Sequence, residues 1–362
     1  MAPGNKEILI KLDNRKNQDA KIKILEDMGY KFVKDACVLK VIEIEIPEDM
    51  SIPESISEIS KLDFVEHVEE DCYVRPEDTD LDSAISSLKG NQYPKILEKT
   101  KGSSDIEIAV IDSGVDYKHE MLEDVVDEEE SYDFVNDSMD SYTPEDNGTH
   151  VAYLCSGFAS NDNDTIHGAS HYNKIIGMRV FGDNGGDLEP ILEAIEYAAG
   201  NHPKGKKMDA VDIINMSLGT ARSSRLLEEA LQDAKDAGCI IVAATGNDGN
   251  NSVSYPARYD SVIGCSAVDK HGNLADFSNY GPGTNIAAMG VENVAALPNN
   301  RYGPMSGTSM STPIISGFIG LLLDMGIDKE DVTNCLYYIA NNEKYSLSNQ
   351  QVGNGVIDFM MD

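Results

Sequence analysis

Ser309 is the residue whose neighbours best suit a nucleophile. It stands in Gly307-Thr308-Ser309-Met310-Ser311-Thr312-Pro313, after two small residues and at the head of a helical apolar run. That placement puts its hydroxyl at a helix N-terminus, where the dipole favours developing negative charge and small neighbours let a substrate approach. A lone Gly-x-Ser says little, whereas the whole string is specific. Asp112 ends the apolar run Ile108-Ala109-Val110-Ile111. A carboxylate at the end of a buried strand is costly unless it is paired or functional. Two further segments are rich in small and polar residues, Asn147-Gly148-Thr149-His150-Val151-Ala152 and Ala243-Ala244-Thr245-Gly246-Asn247-Asp248-Gly249. The Ser309 hydroxyl, so placed, suits nucleophilic attack, and serine attack needs a neighbour that accepts a proton near pH 7.

In order and wording, residues 108–116, 147–152 and 307–313 resemble the Asp, His and Ser boxes of the subtilisin-like serine proteases. The segments 243–249, Ser254-Tyr255-Pro256-Ala257, Phe277-Ser278-Asn279-Tyr280-Gly281 and Gly353-Asn354-Gly355-Val356-Ile357-Asp358 also have counterparts there, so the resemblance covers nearly the whole chain. It implies peptide-bond hydrolysis through an acyl-enzyme. Ser309 would be the nucleophile, and Asp112 would orient the catalytic imidazole and stabilise its cation. The Asn247 side-chain amide and the Ser309 backbone N–H would donate to the oxyanion. The segment Ser217-Leu218-Gly219 is similar to the edge that binds peptide as an added strand. Asp248 and Ser254 would line or rim the pocket for the residue before the cut, with a polar or basic side chain as the suggested occupant. Asp116, the second acid of its box, reads as structural.

One box departs from the pattern. The family's His box is His-Gly-Thr-His-Val-Ala with its first histidine catalytic, and here that position is Asn147. A carboxamide does not accept a proton near pH 7. Among the seven histidines, His150 lies three residues on, which on a helix is a different direction and about a turn higher. His119, His167 and His171 fall in expected loops, and His67, His202 and His271 read as surface or turn residues. In subtilisin, losing the catalytic histidine costs about 2 × 10⁶ in kcat and leaves roughly 10³–10⁴ over water. The expectation is therefore a proprotein with very little hydrolysis whose cleft still binds peptide. Natural drift and replacement of the base to trap the precursor both lead to such a chain. Two alternatives stay open: an active endopeptidase using another histidine or one from the substrate, and a pseudoprotease serving as a peptide-binding or regulatory module.

The elements that must position these residues fall into two groups. In the first 75 residues, strand-like runs (Glu7 to Lys11, Tyr30 to Val33, Val38 to Ile46, Val65 to Glu69) alternate with helical stretches at Asp19 to Met28 and Ile52 to Leu62. This order predicts a small α+β, ferredoxin-like βαββαβ unit over residues 1–75, and it resembles the prodomain of subtilisin-like zymogens. Such a domain assists folding and lays its tail in the active-site cleft, so the chain's own prodomain is one expected partner and a polypeptide substrate the other. Residues 76–90 are acidic and loose, an expected linker with the processing region. Residues 91–362 then alternate apolar strands (Ile106 to Ile111, Ile175 to Val180, Val211 to Met216, Cys239 to Ala244, Val262 to Val268) with helices (Thr149 to Phe158, Leu188 to Ala199, Leu226 to Ala237, Met310 to Asp324). Continuous apolar strands imply a sheet buried on both faces, hence a three-layer α/β domain with a mostly parallel sheet, as in the subtilisin-like fold.

Composition bounds the partners. The 362 residues carry a formal net charge of −34, which makes nucleic acid and anionic membrane poor partners. The longest apolar run, Ile314 to Leu323, is interrupted by Ser316 and Gly320 and is well short of the ~20 residues of a span, so no membrane insertion is expected. No export signal is visible in the sequence as written, which suggests the cytoplasm, or the exterior if a signal preceded it. The six cysteines have no metal-like spacing and read as small buried hydrophobes. No cofactor is required for the chemistry. The oxygen-rich loop from Ala159 to Asp164 lies where the family has a calcium loop, with Asp162 and Asp164 as ligand candidates. Met121 stands where a family aspartate ligand is expected, so a plain polar loop is the favoured reading over structural calcium.

Overall fold

The structure, a computed structural model, describes residues 7–13, 17–35, 40–47, 50–70, 75–76, 94–97, 99–158, 167–182, 185–201, 209–340 and 347–357. The first elements are β1 (Glu7–Leu12), α1 (Gln18–Asp27), β2 (Lys31–Asp35), β3 (Val41–Glu45), α2 (Ile52–Ile59) and β4 (Val65–Glu70). Their strands pair antiparallel in the order β2-β3-β1-β4, the βαββαβ arrangement predicted from the alternation. Side chains of a strand point alternately to opposite faces. On β1, Ile8, Ile10 and Leu12 therefore enter the small unit's own core with Leu25, Ile42, Ile44 and Ile59. Leu9, on the other face, joins Val41 in the core of the larger unit. The small sheet thus has two apolar faces, one for its helices and one for its neighbour.

After β5 (Arg75–Pro76) and α3 (Pro94–Leu97) come β6 (Glu107–Asp112), β7 (Tyr132–Asp133), α4 (Asp146–Cys155), β8 (Lys174–Arg179), α5 (Leu188–Ala198), β9 (Ile213–Met216), β10 (Leu218–Gly219) and α6 (Arg225–Asp236). The chain continues through β11 (Ile240–Ala244), β12 (Ile263–Val268), β13 (Ile286–Met289), β14 (Asn293–Leu297), β15 (Arg301–Met305), α7 (Thr308–Asp324), α8 (Lys329–Ile339) and α9 (Asn349–Val352). Seven strands form one parallel sheet in the order β13-β12-β11-β9-β6-β8-β7. Alternate residues again divide between faces. Ala109, Ile111, Ile214 and Ile241 pack with α5 and α6, whereas Ile108, Val110, Ile213 and Val242 pack with α4 and α7. Both faces are covered, which gives the expected three layers.

Two boundaries bear on function. Helix α4 starts at Asp146, ahead of the expected Thr149, so Asn147 is itself helical. Helix α7 starts at Thr308, ahead of the expected Met310, which sets Ser309 in its first turn. The hairpin of β14 and β15, together with β13, α8 and α9, was not expected from the apolar runs. Its turn places Asn299 and Asn300 at φ 66° and 54°, a left-handed conformation that asparagine tolerates.

Candidate active site

Ser309 lies at the buried N-terminal turn of α7, and its hydroxyl donates to the Ser217 carbonyl at 3.2 Å. Beside it, the Asn247 side chain is held from one end only. Its Oδ1 accepts from the Thr308 backbone N–H at 2.9 Å and from the Thr308 hydroxyl at 3.0 Å. This pairing fixes which end of the amide is nitrogen. Asn247 Nδ2 is buried and has no hydrogen-bond partner among the described residues. A buried donor left open costs about 1–3 kcal/mol, which is tolerable where a ligand oxygen is to be received. Such geometry can stabilise an oxyanion.

Asp112 ends β6 and is fully buried. Its Oδ1 accepts from the Ser113 backbone N–H at 2.7 Å and from Asn147 Nδ2 at 3.1 Å. Gly148 follows without a side chain because a Cβ there would stand 2.0 Å from the Gly114 carbonyl oxygen, and its N–H donates to Ser113 Oγ at 3.1 Å. Asn147 Oδ1 is buried with no partner among the described residues. The Asp112–Asn147 pair is thus a buried carboxylate bonded to a carboxamide, a group that does not accept a proton near pH 7. Asp116 has the structural role expected of it, its carboxylate accepting from the backbone N–H groups of Lys118 at 3.1 Å and Asn299 at 2.8 Å.

The histidines are engaged elsewhere. His150 Nε2 donates to the Asn293 carbonyl at 2.9 Å, and complete burial lowers its pKa to about 4. His119 bonds the Arg301 carbonyl at 3.0 Å and stacks edge-on to Tyr302. His171 lies flat on Phe158 with ring centroids 4.6 Å apart, and burial lowers its pKa to about 3. His167 bonds its neighbour's carbonyl at 2.8 Å, and His67 pairs with Glu69 at 2.8 Å. His271 sits in an exposed turn, and His202 lies outside the described residues.

Leu218 and Gly219 form the short strand β10. They bond antiparallel to Pro76 and Arg75, the stretch that follows the small unit. That unit is also anchored through β4. Glu69 accepts from the Ser224 hydroxyl and, at 3.0 Å, from the Arg225 backbone N–H, so its carboxylate caps the N-terminus of α6. Arg222 pairs with Glu70, and Lys11 pairs with Glu229. Asp248 is exposed and bound by Asn279, whose amide approaches its Oδ2 at 3.3 Å, while Ser254 is buried.

The calcium candidates Asp162 and Asp164 lie outside the described residues, as do 77–90 of the expected linker, Cys37 and Cys72. Met121 is buried among Tyr153 and Leu122; a thioether in an apolar core does not suit calcium, which takes oxygen ligands. Among the described residues no three His, Cys, Asp or Glu side chains gather as a metal site. No helix among them is long and apolar enough to cross a membrane.

A doubly covered parallel sheet ending in Asp112, a serine at a helix N-terminus and a tethered amide donor define a serine protease scaffold of the subtilisin type. The chain belongs to the subtilase family, whose model matches residues 103–355. It is 32% identical over 340 residues to a thermophilic serine proteinase of Bacillus sp. (strain AK1), covering 92% of this chain and 82% of that protein. It is 36% identical over 269 residues to the halolysin-like extracellular serine protease Nep of Natrialba magadii, covering 72% of this chain but only 48% of that one. In three dimensions it resembles the epidermin leader peptide processing serine protease of Staphylococcus aureus, with a TM-score of 0.75 at 21% identity over 98% of this chain and 96% of the other. That last likeness concerns the fold.

Three residues around the site were not singled out from sequence. Thr308 orients Asn247, Glu69 caps α6, and Asn215 sits in the middle of the apolar strand β9. Asn215 had a signal, since a lone carboxamide inside Ile213-Ile214-Asn215-Met216 calls for a buried partner. The other two act through contacts distant in sequence.

Proposed function

We propose that the chain is a subtilisin-like serine endopeptidase proprotein whose hydrolysis is strongly impaired at Asn147. In this reading Ser309 is the nucleophile, Asp112 the carboxylate of an incomplete triad, and Asn247 with the Ser309 backbone N–H the oxyanion site. Residues 1–75 act as the prodomain, and the linker over 76–90 holds the bond that maturation would cut. The observation that carries the reading is the 3.1 Å hydrogen bond from Asn147 Nδ2 to Asp112. It supports a site where the orienting carboxylate is engaged by a group that cannot take the serine proton. The chemistry draws on the chain's own groups alone; any calcium would be structural and would involve the loop with Asp162 and Asp164.

A second reading, a peptide-binding or regulatory module, is favoured by the antiparallel pairing of Arg75 and Pro76 with Leu218 and Gly219. The two readings share a cleft and differ in whether Ser309 is needed. Labelling with a fluorophosphonate separates them from an active enzyme. We expect slow labelling of Ser309 in this chain and fast labelling in Asn147→His. Fast labelling of the unaltered chain would mean that another base serves. If Ser309→Ala leaves a cellular function intact, the binding module is favoured.

A further inference from the structure

Helix α7 contains a proline whose consequence falls on the nucleophile. The N–H that would bond the Ser309 carbonyl in an α-helix belongs to residue 313, four positions on, and that residue is Pro313. The Ser309 carbonyl would then be an orphan in a fully buried place. It is instead claimed from outside the helix, by the Ser217 hydroxyl at 3.0 Å. That hydroxyl accepts from Asn215 Nδ2 at 3.2 Å, and Asn215 Oδ1 accepts from the Ser316 hydroxyl, on α7, at 2.8 Å. The relay leaves α7 at Ser316, crosses to β9 and returns to α7 at Ser309, two turns nearer the N-terminus. The Ser309 hydroxyl closes a second bond, to the Ser217 carbonyl.

We propose that Asn215 is a positioning residue for the nucleophile, working with Ser316 to set the register between the first turns of α7 and the Leu218–Gly219 edge. The inference rests on Ser309 as nucleophile and on that edge as the peptide site. The physical case is one of direction. Apolar packing between α7 and β9 fills space but lets a helix turn or slide by fractions of an ångström, whereas a carboxamide bonded at both ends fixes one arrangement. Asn215, Ser217, Ser309 and Ser316 are all fully buried, so water is not available to replace a lost partner. Removing Asn215 leaves the Ser316 hydroxyl with the Thr312 carbonyl at 3.3 Å and the Ser217 hydroxyl with the Ser309 carbonyl at 3.0 Å; what is lost is the link between them, so the Ser309 turn is free to shift against β9.

The test uses Asn147→His as the parent, with Asn215→Ala, Ser316→Ala and the double variant built on it, and turnover of a chromogenic peptide well below the melting temperature. A misplacement approaching 1 Å costs on the order of 10²-fold, so Asn215→Ala should lower kcat by about 10- to 100-fold with KM nearly unchanged. Ser316→Ala, which removes one hydroxyl and keeps the fold, should lower kcat less. The double variant should be no slower than Asn215→Ala, because Ser316 acts through Asn215. Additive losses, or a lowered melting temperature with kcat unchanged, would overturn the proposal. If the parent itself shows no turnover, the reading of Asn147 fails. Crystal structures of the unaltered chain and its Asn215→Ala variant then decide. A shift of Ser309 Oγ against the Leu218–Gly219 edge by roughly 0.5 Å or more supports positioning, and superposition within coordinate error overturns it.

Discussion

Asn247 and Asn147 carry the same functional group on opposite tethers. Asn247 is held by its oxygen, on Thr308, and keeps its amide nitrogen for an incoming acceptor. Asn147 is held by its nitrogen, on Asp112, and its oxygen has no partner among the described residues. The first arrangement suits a carboxamide, because stabilising an oxyanion calls for a donor that never ionises. In the proposed function the second does not, because the step assigned to that place is proton acceptance. On that proposal one half of the site keeps a suitable group in a suitable pose, and the other keeps the pose and lacks the group.

The largest effect should come from giving the second half its base. Asn147→His should raise turnover of a chromogenic peptide by on the order of 10⁴-fold or more, given the cost of histidine loss in subtilisin. An increase below about tenfold would break the comparison by placing the defect elsewhere. Next, Asn247→Leu in that background should lower kcat by about 10²–10³-fold while KM holds, the usual cost of one oxyanion donor. A loss in KM alone would make Asn247 a ground-state contact.

His150 sharpens the contrast, because it shares α4 with Asn147 and is the wrong kind of group for a base in its setting. Burial lowers its pKa from 6.5 to about 4. Between those values the unfolded chain holds the proton and the folded chain does not, so stability is full above 6.5 and falls as pH drops towards 4. The loss should be on the order of 3 kcal/mol. Urea unfolding at pH 7 and pH 4.5 measures it, and His150→Gln should show a shallower pH slope; an unchanged slope would remove His150 from the account. The smallest effect concerns the other anchor of the cleft. Glu69→Ala removes the acceptor of the Arg225 N–H while Ser224 still caps the Leu227 N–H, and should lower stability by about 0.5–1 kcal/mol, read as a drop in Tm.

The same contrast explains what the sequence made legible. Asp112 and Ser309 stand in local strings that fix their own surroundings, a strand end and a helix start, so the string of residues is enough to read their roles. The alternation in residues 1–75 sufficed for the small sheet because Ile8, Ile10 and Leu12 are separated by the period of a strand. The expectation of a substituted base rests on the same kind of evidence, the string around Asn147. The tethers were not legible. Asn247 is oriented by a residue 61 positions away and Asn215 by one 101 positions away, distances over which pattern carries no information about contact. The hairpin of β14 and β15 was missed because its alternation is masked by small residues such as Ala295 and Ala296.

The central claim is that this scaffold is a competent protease lacking its base. The most direct measurement is the intact mass over time of the unaltered chain beside Asn147→His, purified identically. The account predicts that only the variant splits, at a bond within about residues 70–90, where the acidic linker follows the small unit. Splitting of the unaltered chain at that site would contradict it, because another group would then be serving as base. Two intact chains would contradict it as well, because the divergence would then lie beyond residue 147.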